Sequence, residues 1–124
     1  MEKKFAFQFD DSTRILYKHY FGLITLEDIY SSWDYAINNK IIPSGTRSYI
    51  LDYREASFDI KIKEYHRIAN YYADHLEVFK NCKIAIITQT PKDVVIPALV
   101  ETKDKGYISK PFYSIEAAID WVLK

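Results

Sequence analysis

Apolar and polar positions alternate with period two across residues 5–9, where Phe5, Phe7 and Phe9 flank Ala6 and Gln8, and the alternation returns across residues 15–21. Between them lies Asp10-Asp11-Ser12-Thr13, a turn composition, so the chain opens with a hairpin that buries one face. Gly22 breaks the second strand, and Thr25 with Asp28 three residues on forms a capping box in which Asp stands for Glu. The period then changes to that of a helix: Leu26, Ile29, Tyr30, Trp33 and Ile37 share one stripe, and Asn38-Asn39, Pro43 and Gly45 end it.

Short apolar runs then trade places with helical segments. Tyr49-Ile50-Leu51 closed by Asp52 reads as a strand buried on both faces. Asp59 is placed to cap a longer helix whose inward stripe is Ile62, Tyr65, Ala69, Tyr72, Leu76 and Phe79, with Tyr71 pointing outward. Residues 83–88 (KIAIIT) form the clearest strand, and Thr90-Pro91 turns into a third helical region, roughly residues 93–105, which Gly106 is placed to end. Pro97 is tolerable there only in the first turn or two. A strand near residues 110–112 leads to Ser114, a cap for the final helix. The expected fold class is α/β: a mixed, mostly parallel sheet of about five strands with an N-terminal β-hairpin and four helices, in one domain over residues 1–124. Strands separated by helices pair in parallel through right-handed crossovers, so only the hairpin adds an antiparallel member.

Composition narrows the roles. Hydrophobic residues make up 48% and charged residues 27%, as in globular proteins, and 17 basic side chains cancel 17 acidic ones, interspersed along the chain. No basic face is available to release counterions from a phosphate backbone, so nucleic acid is not an expected partner. The single Cys82 can form no internal disulfide and reads as an apolar filler beside a strand. No hydrophobic signal region follows the basic start, and the longest apolar stretch, residues 94–100, falls far short of a membrane span; a cytoplasmic protein that is not an integral membrane protein is expected. The 11 tyrosines suit half-buried surfaces, and exposed aromatics over a flat helical layer are compatible with a homodimer.

At the residue level the chain resembles the SpoIIAA-like proteins, relatives of the STAS domains. The likeness spans nearly the whole length and rests on Tyr20-Phe21-Gly22 with Ile24-Thr25-Leu26-Glu27-Asp28, on Ile50-Leu51-Asp52-Tyr53-Arg54, on Ala85-Ile86-Ile87-Thr88, and on the ending from Phe112-Tyr113-Ser114 through Ala117-Ala118-Ile119-Asp120-Trp121. The resemblance implies a compact domain that mediates protein association or senses a small ligand and is not a catalyst. In phosphoswitch members of the wider group the strand matching residues 49–52 leads into an Asp-Ser-(Ser/Thr)-Gly motif whose serine is modified. Here Asp52 is followed by Tyr53-Arg54 and the motif's glycine is absent, leaving Ser57 as the serine nearest the matching position and the candidate for phosphorylation.

Ligands of open parallel sheets collect beyond the carboxyl ends of the strands, among helix N-termini. That places candidate ligand or partner contacts in loops 52–59 and 88–93 and at Tyr113-Ser114: Arg54 and Lys92 to meet an anion, with Asp52, Ser57, Thr88 and Thr90 supplying hydrogen bonds. The plainer account is that Asp52 caps local N–H groups, Arg54 pairs with a carboxylate, and the hydroxyls serve turns. His66 and His75 are nine residues apart, half a turn out of phase, so no metal site is expected, and each histidine, His19 included, is expected to be solvated or locally hydrogen-bonded. No nucleophile elbow, phosphate loop or HExxH occurs, so no catalytic residue or cofactor is assigned. The expected function is a non-enzymatic interaction or regulatory domain acting through protein contacts near residues 52–59, with a small-molecule or lipid-binding sensor or carrier, using an apolar pocket between sheet and helices, as the alternative.

Overall fold

A computed structural model describes residues 3–124. Strands β1 (Phe5–Asp10) and β2 (Ile15–Ile24) form the opening hairpin, followed by α1 (Leu26–Asn38), β3 (Ser48–Phe58), a 3-10 turn (Ile62–Glu64), α2 (Tyr65–Asp74), α3 (Leu76–Phe79), β4 (Lys83–Ile87), α4 (Pro91–Glu101), β5 (Ile108–Phe112) and α5 (Ile115–Val122). The five strands lie side by side in chain order, β1 antiparallel to β2 and all others parallel.

The alternation read from the sequence decides which face each residue occupies. Phe5, Phe7 and Phe9, with Leu16, Tyr20, Tyr49, Leu51 and Tyr53, join the larger core beneath α1 to α4. Its centre is aromatic: the indole of Trp33 meets Tyr49 and Phe79 edge to face, with centroids 5.7 and 5.1 Å away, a geometry that aromatic quadrupoles favour. Ile15, Ile50, Ala85 and Ile87 point the other way, to Ala118 and Val122 of α5. That helix packs on β3, β4 and β5. The β1–β2 half of this second face carries no helix, so Ala6, Gln8 and Leu23 are exposed and Tyr17, His19 and Phe21 are half-buried.

Local chemistry explains most boundaries. Thr25 and Asp28 form the reciprocal capping box that starts α1, and Thr90 and Ser114 accept from Asp93 N and Ala117 N at the starts of α4 and α5. Pro91 opens α4, where its missing N–H costs nothing, and Pro97 lies within the second turn.

Five expectations are corrected. Residues 52–58 are not a loop: β3 continues to Phe58, paired with β2 through Ile24↔Phe58, although β4 ends opposite Asp52. Asp59 caps no helix; its N–H donates to Ile24 O (2.8 Å), and α2 begins six residues later without a side-chain cap. The longer helix is interrupted at His75, dividing the expected four helices into five, and Ile62 at its start is 55% exposed instead of inward. Tyr71 is buried with Tyr72, because its ring fits between those of Tyr30 (5.4 Å) and His75 (4.0 Å) and its hydroxyl donates to Asp34 (2.6 Å). Gly106 does not end α4, which stops at Glu101; it turns the chain into β5 at φ +85°, where a Cβ would lie 2.9 Å from Leu76.

Candidate functional site

Asp52 stands at the last position where β3 is flanked by both β2 and β4. Its side chain points to the α5 face, at the border of the uncovered half-sheet, and is 7% exposed. One carboxylate oxygen accepts from Arg54 N (3.0 Å) and Arg54 Nε (2.9 Å), and the other from Arg54 Nη2 (2.7 Å). The same second oxygen lies 3.2 Å from His19 Nδ1. Burial pushes the Asp52 carboxyl up, but the hydrogen bonds and charge of Arg54 outweigh it and hold the group below the usual carboxylate range. The carboxylate thereby fixes two side chains whose remaining nitrogens face solvent, a planar guanidinium and an imidazole, each about a third exposed.

A bulge makes this arrangement. His19 pairs with Asp52 but Phe21 pairs with Glu55, so Tyr53 and Arg54 together oppose Tyr20. The extra residue re-aims the strand: Tyr53 stays in the core while Arg54 and Glu55 are both exposed. Tyr17 stacks parallel to His19 at 6.4 Å, and Phe21 and Leu23 continue the row along β2. A shallow concavity beside His19 is lined by Gln8, Asp10, Tyr17 and Ile115.

The other sequence candidates do not join this group. Ser57 lies past the bulge and donates to Asp93 Oδ2 (3.0 Å), which also accepts from Thr90 Oγ1 (3.0 Å), while Asp93 Oδ1 accepts from Phe58 N (3.1 Å). Asp93 is 3% exposed and ties the end of β3 to the N-terminus of α4. The helix end where an anion was expected therefore already holds a carboxylate of the chain itself. Thr88 is fully buried and its hydroxyl has no partner among the described residues; Lys92 is exposed on the first turn of α4. Arg54 is bonded to Asp52, while Lys92 stands on the first turn of α4 next to the Asp93 cap. His66 and His75 bond locally to Lys63 O and Tyr71 O, whereas His19 reaches across strands to Asp52. Among the described residues no group of three or more His, Cys, Asp or Glu could hold a metal ion, and no helix is long and apolar enough to cross a membrane.

Two residues of consequence were missed in the sequence. Asp93 could have been found, since Thr90-Pro91-Lys92-Asp93 repeats the Thr-x-x-Asp spacing of Thr25 to Asp28. Lys18 occupies the inward parity of β2 between Leu16 and Tyr20 and is fully buried. Its side-chain nitrogen lies 3.9 Å from the Trp33 ring centroid, 4.6 Å from Tyr20 and 5.5 Å from Phe7, and among the described residues it hydrogen-bonds only to Ser32 Oγ. Burial drives its pKa well below the ordinary 10.5. Tyr20 Oη and Trp33 Nε1 are buried in the same core with no hydrogen-bond partner among the described residues. Deeper in the same core, Ile29, Tyr53, Phe58, Tyr72, Ile96 and Pro97 border a void of about 20 Å³, room for about one water.

The fold is that of a known structure. Over 95% of this chain and 91% of the other, at a TM-score of 0.63 and 19% identity, the chain is similar to the crystal structure of an uncharacterised protein of the DUF3478 family with a SpoIIAA-like fold from Shewanella loihica PV-4. The chain has the SpoIIAA-like fold, as its residues suggested. No protein-family model matches it, and no curated protein does.

Proposed function

We propose that the chain is a non-enzymatic interaction or regulatory domain that captures a protein partner on the uncovered half of its sheet, from Leu23 and Phe21 past His19 to Arg54. The observation that carries this reading is the asymmetry of the second face: α5 seals β3 to β5, while the β2 row of Tyr17, His19, Phe21 and Leu23 stays open beside an Arg54 held rigid by Asp52. Apolar and aromatic area next to a fixed guanidinium is the composition of interface centres. Ser57 belongs to this reading only indirectly. Its hydroxyl is engaged by Asp93, so a phosphate there would set negative charge against a buried carboxylate and loosen the β3–α4 junction.

The test is capture of the partner by the full chain from the native cell, repeated with Leu23→Asp and Arg54→Glu. Leu23 is 59% exposed, so Leu23→Asp keeps the wild-type melting temperature within a few degrees; Arg54→Glu lowers it further by setting a second carboxylate against Asp52, and both variants, assayed below their melting temperatures, lose the partner. Retention of the partner by both sinks the reading.

The carrier alternative rests on the void beneath α2 and α4. At about 20 Å³ it admits no ligand larger than a water unless those helices part, so a ligand that binds there raises the melting temperature by mass action as it opens the core. A thermal-shift series with fatty acids and small apolar acids that leaves the melting temperature unchanged removes it.

A further inference from the structure

The two outer strands of the sheet are treated differently: on β5 the outward Ser109 N already donates to Asp104 Oδ2 (2.6 Å), whereas β1 stands at the other edge of the sheet. Native sheets blunt an edge with Lys, Pro or a bulge. β5 has Lys110 and Pro111 at its centre. β1 has neither, and between Phe5 and Phe9 it contains no charge, no Gly and no bulge. Its backbone orientation follows from one contact, the donation of Phe21 N to Lys4 O (2.9 Å). Bonded residues alternate along an antiparallel pair, so Ala6 and Gln8 spend their backbone groups on β2, while Phe5, Phe7 and Phe9 aim theirs outward.

The side chains along this edge are self-complementary. Residues 3–11 read Lys-Lys-Phe-Ala-Phe-Gln-Phe-Asp-Asp, with phenylalanines placed symmetrically about Phe7 and charges inverted about it. We propose that β1 pairs antiparallel with β1 of a second copy of this chain, across a two-fold axis at Phe7, joining two five-stranded sheets into one of ten. In that register Phe7 meets its own copy, Phe5 faces Phe9, Ala6 faces Gln8, Lys4 faces Asp10 and Lys3 faces Asp11. The residues brought opposite with outward backbone groups are Phe5, Phe7 and Phe9, so every aligned pair of these exchanges two N–H···O bonds. A register shifted by one residue would set outward groups against groups already spent on β2.

Side-chain energetics favour the same partner. The three phenylalanines are half-buried in one chain, and Phe5 leans on Tyr35 (6.1 Å), itself 51% exposed; aromatic pairs across a strand boundary are among the stabilising ones. A parallel pairing would set Lys on Lys and Asp on Asp, so the charges select direction as well as register. In the single chain Lys4 bonds Asp28 and Asp11 bonds Arg14, both at exposed positions from which they can turn. The pairing is independent of the open-face reading above, because it uses backbone at the sheet edge, and Leu23→Asp and Arg54→Glu leave it intact.

The experiment uses the full chain with Cys82→Ser. Ala6 and Gln8 are exposed and would form a non-hydrogen-bonded pair across the axis, with Cα atoms about 4.5 Å apart, inside the range a disulfide spans. Mixing Ala6→Cys protein with Gln8→Cys protein under mild oxidation is expected to give a covalent dimer, and either variant alone is not. In sedimentation runs the wild-type chain is expected at twice its monomer mass at micromolar concentration. Asp11→Lys, at a side chain 91% exposed, weakens the dimer about tenfold by placing Lys against Lys at both ends, a change of about 1.4 kcal/mol, and Lys3→Asp added to it restores association. A monomeric wild type, crosslinking of Ala6→Cys alone as fast as the mixture, or an association indifferent to Asp11→Lys overturns the proposal, the last two by assigning the contact to another surface.

Discussion

Replacing Lys18 by Met should stabilise this protein, by an amount that depends on pH. Among the described residues Lys18 Nζ has one hydrogen bond, to Ser32, and no carboxylate in contact, while four rings surround it, those of Trp33, Tyr20, Phe7 and Phe5. Ser32 Oγ also donates to Ile29 O (3.0 Å), so removing the amine leaves that hydroxyl satisfied. Met has nearly the same length and flexibility, and substitutions of buried charged groups by well-packed apolar ones are often neutral or stabilising by about 1–4 kcal/mol. For a chain of 124 residues each kcal/mol moves the melting temperature by about 4 °C. The pH term has a definite sign. The folded pKa of Lys18 is lowered and the unfolded one is the ordinary 10.5, so between the two the unfolded chain binds one more proton, and wild-type stability rises with pH by about 1.4 kcal/mol per unit. Below the folded value the term is constant and unfavourable. Urea unfolding at pH 7, 8 and 9 checks this: Lys18→Met is more stable at pH 7, and the gap closes as pH rises. The difference between the two proteins cancels the contributions of the buried tyrosines, which both share. A gap that stays constant through pH 9, or a variant less stable than wild type at pH 7, would show that the rings hold Lys18 as a cation at no net cost, and the reasoning fails.

Asp93→Ala strips the partner from buried Phe58 N and from the hydroxyls of Ser57 and Thr90; a loss of about 3 kcal/mol, or about 11 °C in melting temperature, is expected from one orphaned buried donor and the lost charged bonds, and a loss under 1 kcal/mol would mean that water reaches the junction. Asp52→Ala acts on the acid limb: the Asp52 pKa is depressed from 3.8 in the fold, so its contribution is present above that value and fades as pH falls through the folded one. Thermal melts from pH 6 to 2.5 should therefore show the wild type losing its advantage over Asp52→Ala below about pH 4, the advantage at neutral pH being about 1 kcal/mol because Arg54 and His19 are each partly solvated.

The order of elements, the hairpin with its alternating Phe5, Phe7 and Phe9, the helix caps at Thr25 and Ser114, and the burial of Tyr49-Ile50-Leu51 were legible from the chain, because period and capping are set by neighbours within about four positions. The same locality explains the failures. Asp52 to Phe58 lacks strand periodicity on account of the bulge, and only the length of β2 beside it reveals that pairing continues. Tyr71 lies on the wrong side of a plain helical stripe, and the rings of Tyr30 and His75 with the carboxylate of Asp34 bring it inward. Nothing adjacent in sequence links His19 to Asp52, 33 residues away, or says that α5 stops short of β2. Lys18 was written in the correct parity for burial but carries a charge, and local propensity treats a charge as solvent-facing. Only packing four aromatic rings around it settles where it lies. Local chemistry thus specified a five-stranded wound sheet, whereas the open half-face and the contact of His19 with Asp52 follow from long-range interactions whose free energy exists only once the layers have assembled.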